Sequence, residues 1–94
     1  MLEDFLEGEV RKWAKPKRTL LALLSGLLEI LPDFQIPFDV DVLKQQGTPQ
    51  DAEKAYRRML KILHPDKLVK APIEMQVRAG LVFLVLNKAR EKGR

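Results

Sequence analysis

The chain of 94 residues contains no cysteine, one histidine, one tryptophan and one tyrosine. Without cysteine there is no disulfide framework and no thiolate metal site. That fits a reducing compartment, and cytoplasmic localisation is the expectation. A lone histidine leaves little for imidazole catalysis, and no glycine-rich phosphate-cradling loop occurs. The chain is therefore not expected to be an enzyme or to hold a cofactor or metal. Asp33, Asp39 and Asp41 lack the glycine and final glutamate of a calcium loop and read as solvated loop acids. Long apolar runs are also missing. The longest, Leu20 to Leu31, is broken by Ser25, Gly26 and Glu29, and at about 12 residues it is too short to span a bilayer, so no membrane insertion is expected. The acidic start Met-Leu-Glu-Asp has no signal-peptide apolar region.

What is present is enough for one domain with one core. A hydrophobic share of 46% beside 32% charged residues indicates a globular chain rather than a disordered one. The net charge of +4 admits nucleic acid, an acidic lipid surface or an acidic protein partner, and the placement of the charges must choose among them.

Four helices account for most of the sequence. Leu2, Phe5, Leu6, Val10 and Trp13 recur at three- and four-residue steps, which predicts a helix over 2–15 ended by Pro16. At that spacing Trp13 is expected in the core, a partner surface being the alternative. A second helix is expected over 17–31, capped near Thr19 and stopped by Pro32-Asp33. Leucines wrap most of its circumference, which places it centrally. Residues 32–48 read as an extended connection packed on the core, with one short turn at 40–45. Ile36, Phe38, Val40 and Val42 alternate like a strand, but no second strand is available to pair with it. Thr48, Pro49 and Asp51 are a strong start signal for a third helix over 49–63. Pro65 disfavours helical geometry at His64 and ends it. A fourth helix is expected from about Pro72 to Arg90, with Gly80 permitting close packing and residues 90–94 fraying.

The third helix is two-faced. Ala52, Tyr56, Met59 and Leu63 fall on one side, flanked by Ala55, Leu60 and Ile62. Lys54, Arg57, Arg58 and Lys61 fall on the other, within an arc of roughly 100°. Only Glu53 is near enough to offset these cations. At the end of the stripe stands His64-Pro65-Asp66-Lys67. Pro65 stiffens the turn and fixes where His64 and Asp66 project, and Asp66 suits a bidentate bond from a partner's arginine. The residues alone also fit an Asx-type turn at Asp66 and a helix-capping His64. His-Pro-Asp by itself is weak, because a given tripeptide arises by chance in roughly one chain in a hundred of this length. Its position behind a basic helix is the informative part.

The string Ala55-Tyr56-Arg57-Arg58, then Leu60, then His64-Pro65-Asp66-Lys67 resembles the J-domain, the module that defines DnaJ-type co-chaperones. The resemblance implies an all-α fold in which a basic helix II and an apolar helix III form an antiparallel hairpin around the His-Pro-Asp loop, with helix I beside it. It implies activation of ATP hydrolysis in a DnaK-type heat-shock chaperone. His64 and Asp66 would engage that chaperone near its interdomain linker, while Lys54, Arg57, Arg58, Lys61 and Lys67 steer onto an acidic surface of its ATPase domain. Val10-Arg11-Lys12-Trp13, Leu21-Ala22-Leu23-Leu24-Ser25, the long loop and Leu86-Asn87 followed by Ala89 are similar to the auxilin branch. That branch implies an extra N-terminal helix (residues 1–16, ahead of a J-domain over 17–94) and recruitment of the chaperone to clathrin coats through a parent protein. Phe34 and Phe38 stand where auxilins carry loop tryptophans, Arg90 follows Ala89 near the end of helix III, and the segment 68–72 is longer or shifted.

A basic helical nucleic-acid-binding domain is the rival from another class, permitted by the stripe and opposed by the lack of interleaved aromatics. A J-like scaffold without chaperone activation is a third reading, opposed by the intact tripeptide. A monomer with no nucleic-acid partner is expected, and the abrupt ends suggest a piece of a longer protein.

Overall fold

A computed structural model describes residues 2–92, and among them the chain is all-helical, with six α-helices, one 3₁₀ turn and no strand. Helix α1 spans Leu2–Ala14. Glu3 and Asp4 open it and Arg11 and Lys12 close it, each sign opposing the helix dipole at its end. Leu6, Val10 and Trp13 are buried, a four- and three-residue step that puts one face against the core. Leu2 and Phe5, which share the apolar pattern, are exposed instead. Trp13 is buried as its spacing predicts, and its indole N–H donates to the Gly26 carbonyl at 2.9 Å.

The expected second helix is two short ones, α2 (Leu20–Ser25) and α3 (Leu27–Ile30). Thr19 caps α2 by accepting the Ala22 N–H. The break falls at Gly26, with φ −102° and ψ 13°. There the carbonyl turns to the Trp13 indole and to the N–H of Glu29, so the regular ladder cannot continue. Leu23, Leu24, Leu27, Ile30 and Leu31 are buried, which keeps this segment at the centre as expected.

The connection that follows is not extended throughout. Val40–Gln46 form α4, a full helix where only a short turn is expected. Asp39 Oδ1 accepts the N–H groups of Asp41 and Val42, and that cap is the start signal the alternating apolar pattern hides. Leu43 is the buried anchor, and α4 packs on α2. At Gly47 a side chain would collide with the Leu43 carbonyl and with Leu21, so the chain passes close only because glycine stands there.

Helix α5 spans Pro49–Leu63, with its capping box formed. The Thr48 N–H and hydroxyl both donate to Asp51 Oδ2 at 3.0 Å, and the Asp51 N–H donates back to Thr48 Oγ1. The backbone donor in particular holds the Asp51 carboxyl below its ordinary value. Helix α6 spans Ile73–Lys92. Tyr56 donates to Asn87 Oδ1 at 3.0 Å, and Glu53, three residues earlier on α5, meets Arg90, three residues later on α6. The two helices therefore run antiparallel. Leu24, Leu27, Leu31, Met59, Val82 and Leu86 are fully buried, each burial stabilising by about 1.5–3 kcal/mol.

Two expectations for α6 fail. Gly80 is exposed, with open space where a Cβ would stand; Ala79, wholly buried, is the small residue that lies against the core. Arg90 does not fray but is bound to α5, and the helix continues to Lys92. Gly93 and Arg94 lie outside the described residues. Among the described residues no helix is long and apolar enough to cross a membrane.

Candidate functional site: a cationic helix face and its rigid turn

The site begins with the division of α5. Ala52, Ala55, Tyr56, Met59 and Leu63 are buried, while Lys54, Arg57, Arg58 and Lys61 are exposed. The faces assigned from the wheel are the faces observed. Because the inner face is fixed by packing on α2 and α6, the outer face cannot rotate away from solvent.

Glu53 contributes less to neutralising the stripe than its proximity suggests. Both its oxygens accept from Arg90, with Nε at 3.0 and 3.1 Å and Nη2 at 2.7 Å. Arg57 Nε lies at a longer 3.6 Å. The fork–fork pair with Arg90 is the stronger geometry and holds the Arg90 guanidinium above its already high ordinary value. Arg90 also lies over the Tyr56 ring, 5.0 Å from its centroid, a cation–π arrangement. Arg58 donates to the Pro37 carbonyl at 3.3 Å, which aims it across the connection before α4. Lys61 and Lys67 form no ion pair among the described residues, so the stripe keeps its positive field.

The turn after α5 is built by the backbone. His64 has φ −61° and ψ 132°, the extended geometry that Pro65 imposes on its predecessor. Pro65–Lys67 form a single 3₁₀ turn. Lys67 N–H donates to the His64 carbonyl at 2.9 Å, and Leu68 N–H to Pro65 at 3.0 Å. Leu63, buried on one side, and Leu68, packed against the core on the other, pin the turn at both ends.

Within it, His64 Nδ1 accepts the Asp66 N–H at 3.2 Å, so His64 caps the turn. That bond assigns the ring proton to Nε2. Nδ1 also lies 3.7 Å from Asp66 Oδ2, a longer contact than that hydrogen bond. The Asp66 side chain is 89% exposed. No described residue donates a hydrogen bond to its carboxylate, so no Asx-type turn forms. The structure thus brings His64, Pro65, Asp66 and Lys67 onto one rigid turn next to Lys61, and sets Lys54, Arg57 and Arg58 along the helix leading to it.

Lys54 and Arg58 also wall a shallow groove of about 340 Å³ between α4 and α5, with Phe38 and Val42. Sequence reasoning missed this groove because α4 itself was not expected. It likewise missed the Glu53–Arg90 clamp; the three-residue offsets on either side of Tyr56 and Asn87 were the available signal. Among the described residues no group of three or more His, Cys, Asp or Glu side chains stands close enough to hold a metal. Asp39 instead caps α4. No family model matches the chain, and no solved structure matches it.

Proposed function

We propose that this chain is a J-domain that docks on a DnaK-type chaperone and stimulates its ATP hydrolysis. The observation that carries the reading is the bare Asp66 carboxylate, held by a stiff His-Pro-Asp turn at the end of an exposed cationic stripe. The antiparallel α5 and α6 correspond to the helix II and helix III of that family, α2–α3 to its helix I, and α1 to the extra helix of the auxilin branch.

Lys54, Arg57, Arg58, Lys61 and Lys67 raise the association rate with an acidic surface and orient the approach, an effect that weakens with salt. Asp66 then accepts a charge-assisted bond from a cation of the chaperone. Pro65 and the His64 cap hold the Asp66 backbone in one geometry, so little backbone entropy is lost on docking. Hydrolysis belongs to the chaperone. The J-domain acts by binding one chaperone conformation more tightly than the other, since only differential affinity shifts an equilibrium. The auxilin-like resemblance extends the proposal to uncoating of clathrin-coated vesicles, with the coat engaged by a parent protein. Tyr56, the single aromatic of α5, is turned into the core, which leaves the stripe without the stacking platform that single-stranded nucleic acid uses.

The test is single-turnover ATP hydrolysis by an active DnaK-type chaperone. The intact domain should accelerate it, and His64→Gln or Asp66→Asn should remove the acceleration. Absence of stimulation by the intact domain would overturn the proposal, and oligonucleotide binding at physiological salt that ignores both substitutions would point to the rival.

A further inference from the structure

Residues 81–86 of α6 are all apolar and face every side of the helix, which requires several covering neighbours. Helices α1, α2 and α5 pack on it, yet one edge stays open. Leu84 is 55% exposed in the middle of the helix. It borders a groove of about 410 Å³ between α1 and α6, whose apolar surface includes Val10 and Leu81. That volume is in the range of ligand-sized pockets, about 300–1,000 Å³.

The rim of this groove is cationic. Arg11 lines it from α1, Lys15 from the turn directly after α1, and Lys88 from α6. Glu7 is the single acid lining it, and Arg11 holds it at 2.8 Å. Lys15 and Lys88 are exposed and form no ion pair among the described residues. Lys15 directly follows α1 and is favoured there by the helix dipole, which accounts for that charge but not for the uncovered leucine beside it.

We propose that the α1–α6 groove receives an acidic segment of a partner protein, which inserts one large aliphatic or aromatic side chain beside Leu84 and sets carboxylates against Lys15 and Lys88. Charge complementarity selects an acidic occupant. Of the residues lining the groove, Leu84 alone is both apolar and exposed, too little projecting apolar surface to anchor a bilayer, so the groove selects an inserted side chain. This surface shares no residue with the α5 stripe or the His-Pro-Asp turn, so the inference stands or falls independently of chaperone activation.

The experiment titrates the full chain with a fluorescent hexapeptide carrying two acids on each side of a Leu-Phe pair, following anisotropy and amide chemical shifts. Saturable binding is expected, with shifts confined to α1 and α6. Lys15→Glu with Lys88→Glu should weaken it about tenfold or more, the scale of several exposed charge contacts reversed together, and Leu84→Asp should weaken it comparably while leaving the helical content unchanged. No saturation up to about 1 mM peptide, shifts that map to α5, or equal binding of a control with serines in place of Leu-Phe would each overturn the proposal. So would binding to phosphatidylserine-rich vesicles, in the absence of peptide binding, that the same variants abolish; that outcome would assign the surface to a membrane.

Discussion

The two faces of α5 divide the labour of the molecule, and the comparison with α6 shows why that division matters. On α5 the inner residues are buried in the core while the outer ones carry charge into solvent, so a change on one face leaves the other in place. On α6 apolar residues occur all round, and the same helix serves the core, the clamp to α5 and an open groove. A two-faced helix keeps its core contacts apart from its charged surface. A helix apolar on all sides mixes them, and its role at each position depends on which neighbour happens to cover it.

The sharpest break of that comparison is a cavity on the inner face. Met59→Ala removes a fully buried side chain and should cost about 2–5 kcal/mol in urea unfolding, with stimulation of the chaperone lost only to the extent that the domain unfolds. On the outer face, Arg57→Glu with Arg58→Glu should leave thermal stability nearly unchanged and weaken chaperone docking by about tenfold at low salt, given roughly 0.2–1 kcal/mol for each exposed charge contact. The difference from the intact domain should shrink as salt rises. A salt-independent loss would indicate that the substitutions disturb the fold instead.

Smaller effects sharpen the boundary between the helices. Tyr56→Phe deletes the bond to Asn87 and should cost about 1 kcal/mol in unfolding free energy, with stimulation retained because the turn keeps its anchors at Leu63 and Leu68. Gly80→Ala should stabilise by about 1 kcal/mol in thermal or urea unfolding, since the site is helical, exposed and open. Destabilisation there would mean that α6 has a neighbour on that side.

Legibility in the sequence followed the same division. Helix α5 was readable to the residue because Thr48, Pro49 and Asp51 mark its start, Pro65 marks its stop, and its two faces differ in charge. The exposed placement of Lys54, Arg57, Arg58 and Lys61 was readable for the same reason. The division of 20–30 into two helices was not, since it depends on Trp13, thirteen residues away, drawing the Gly26 carbonyl out of the ladder. Helix α4 was obscured because Val40 and Val42 continue an alternation begun by Ile36 and Phe38, a period that belongs to strands, while the deciding signal was the single cap Asp39. Arg90 looked like part of a fraying tail because its partner, Glu53, is distant in sequence and was assigned to the stripe. Strong local signals were visible, whereas a lone cap such as Asp39 and contacts with distant partners such as Trp13 and Glu53 were not.

The most direct test of the central claim is the single-turnover rate of ATP hydrolysis by a DnaK-type chaperone, measured with the intact domain and with Asp66→Asn at matched helical content and melting temperature. Asp66 is exposed and bears no structural bond through its carboxylate, so the substitution should leave the fold untouched. The proposed function predicts acceleration by the intact domain and none by the variant. Equal acceleration by both would contradict it.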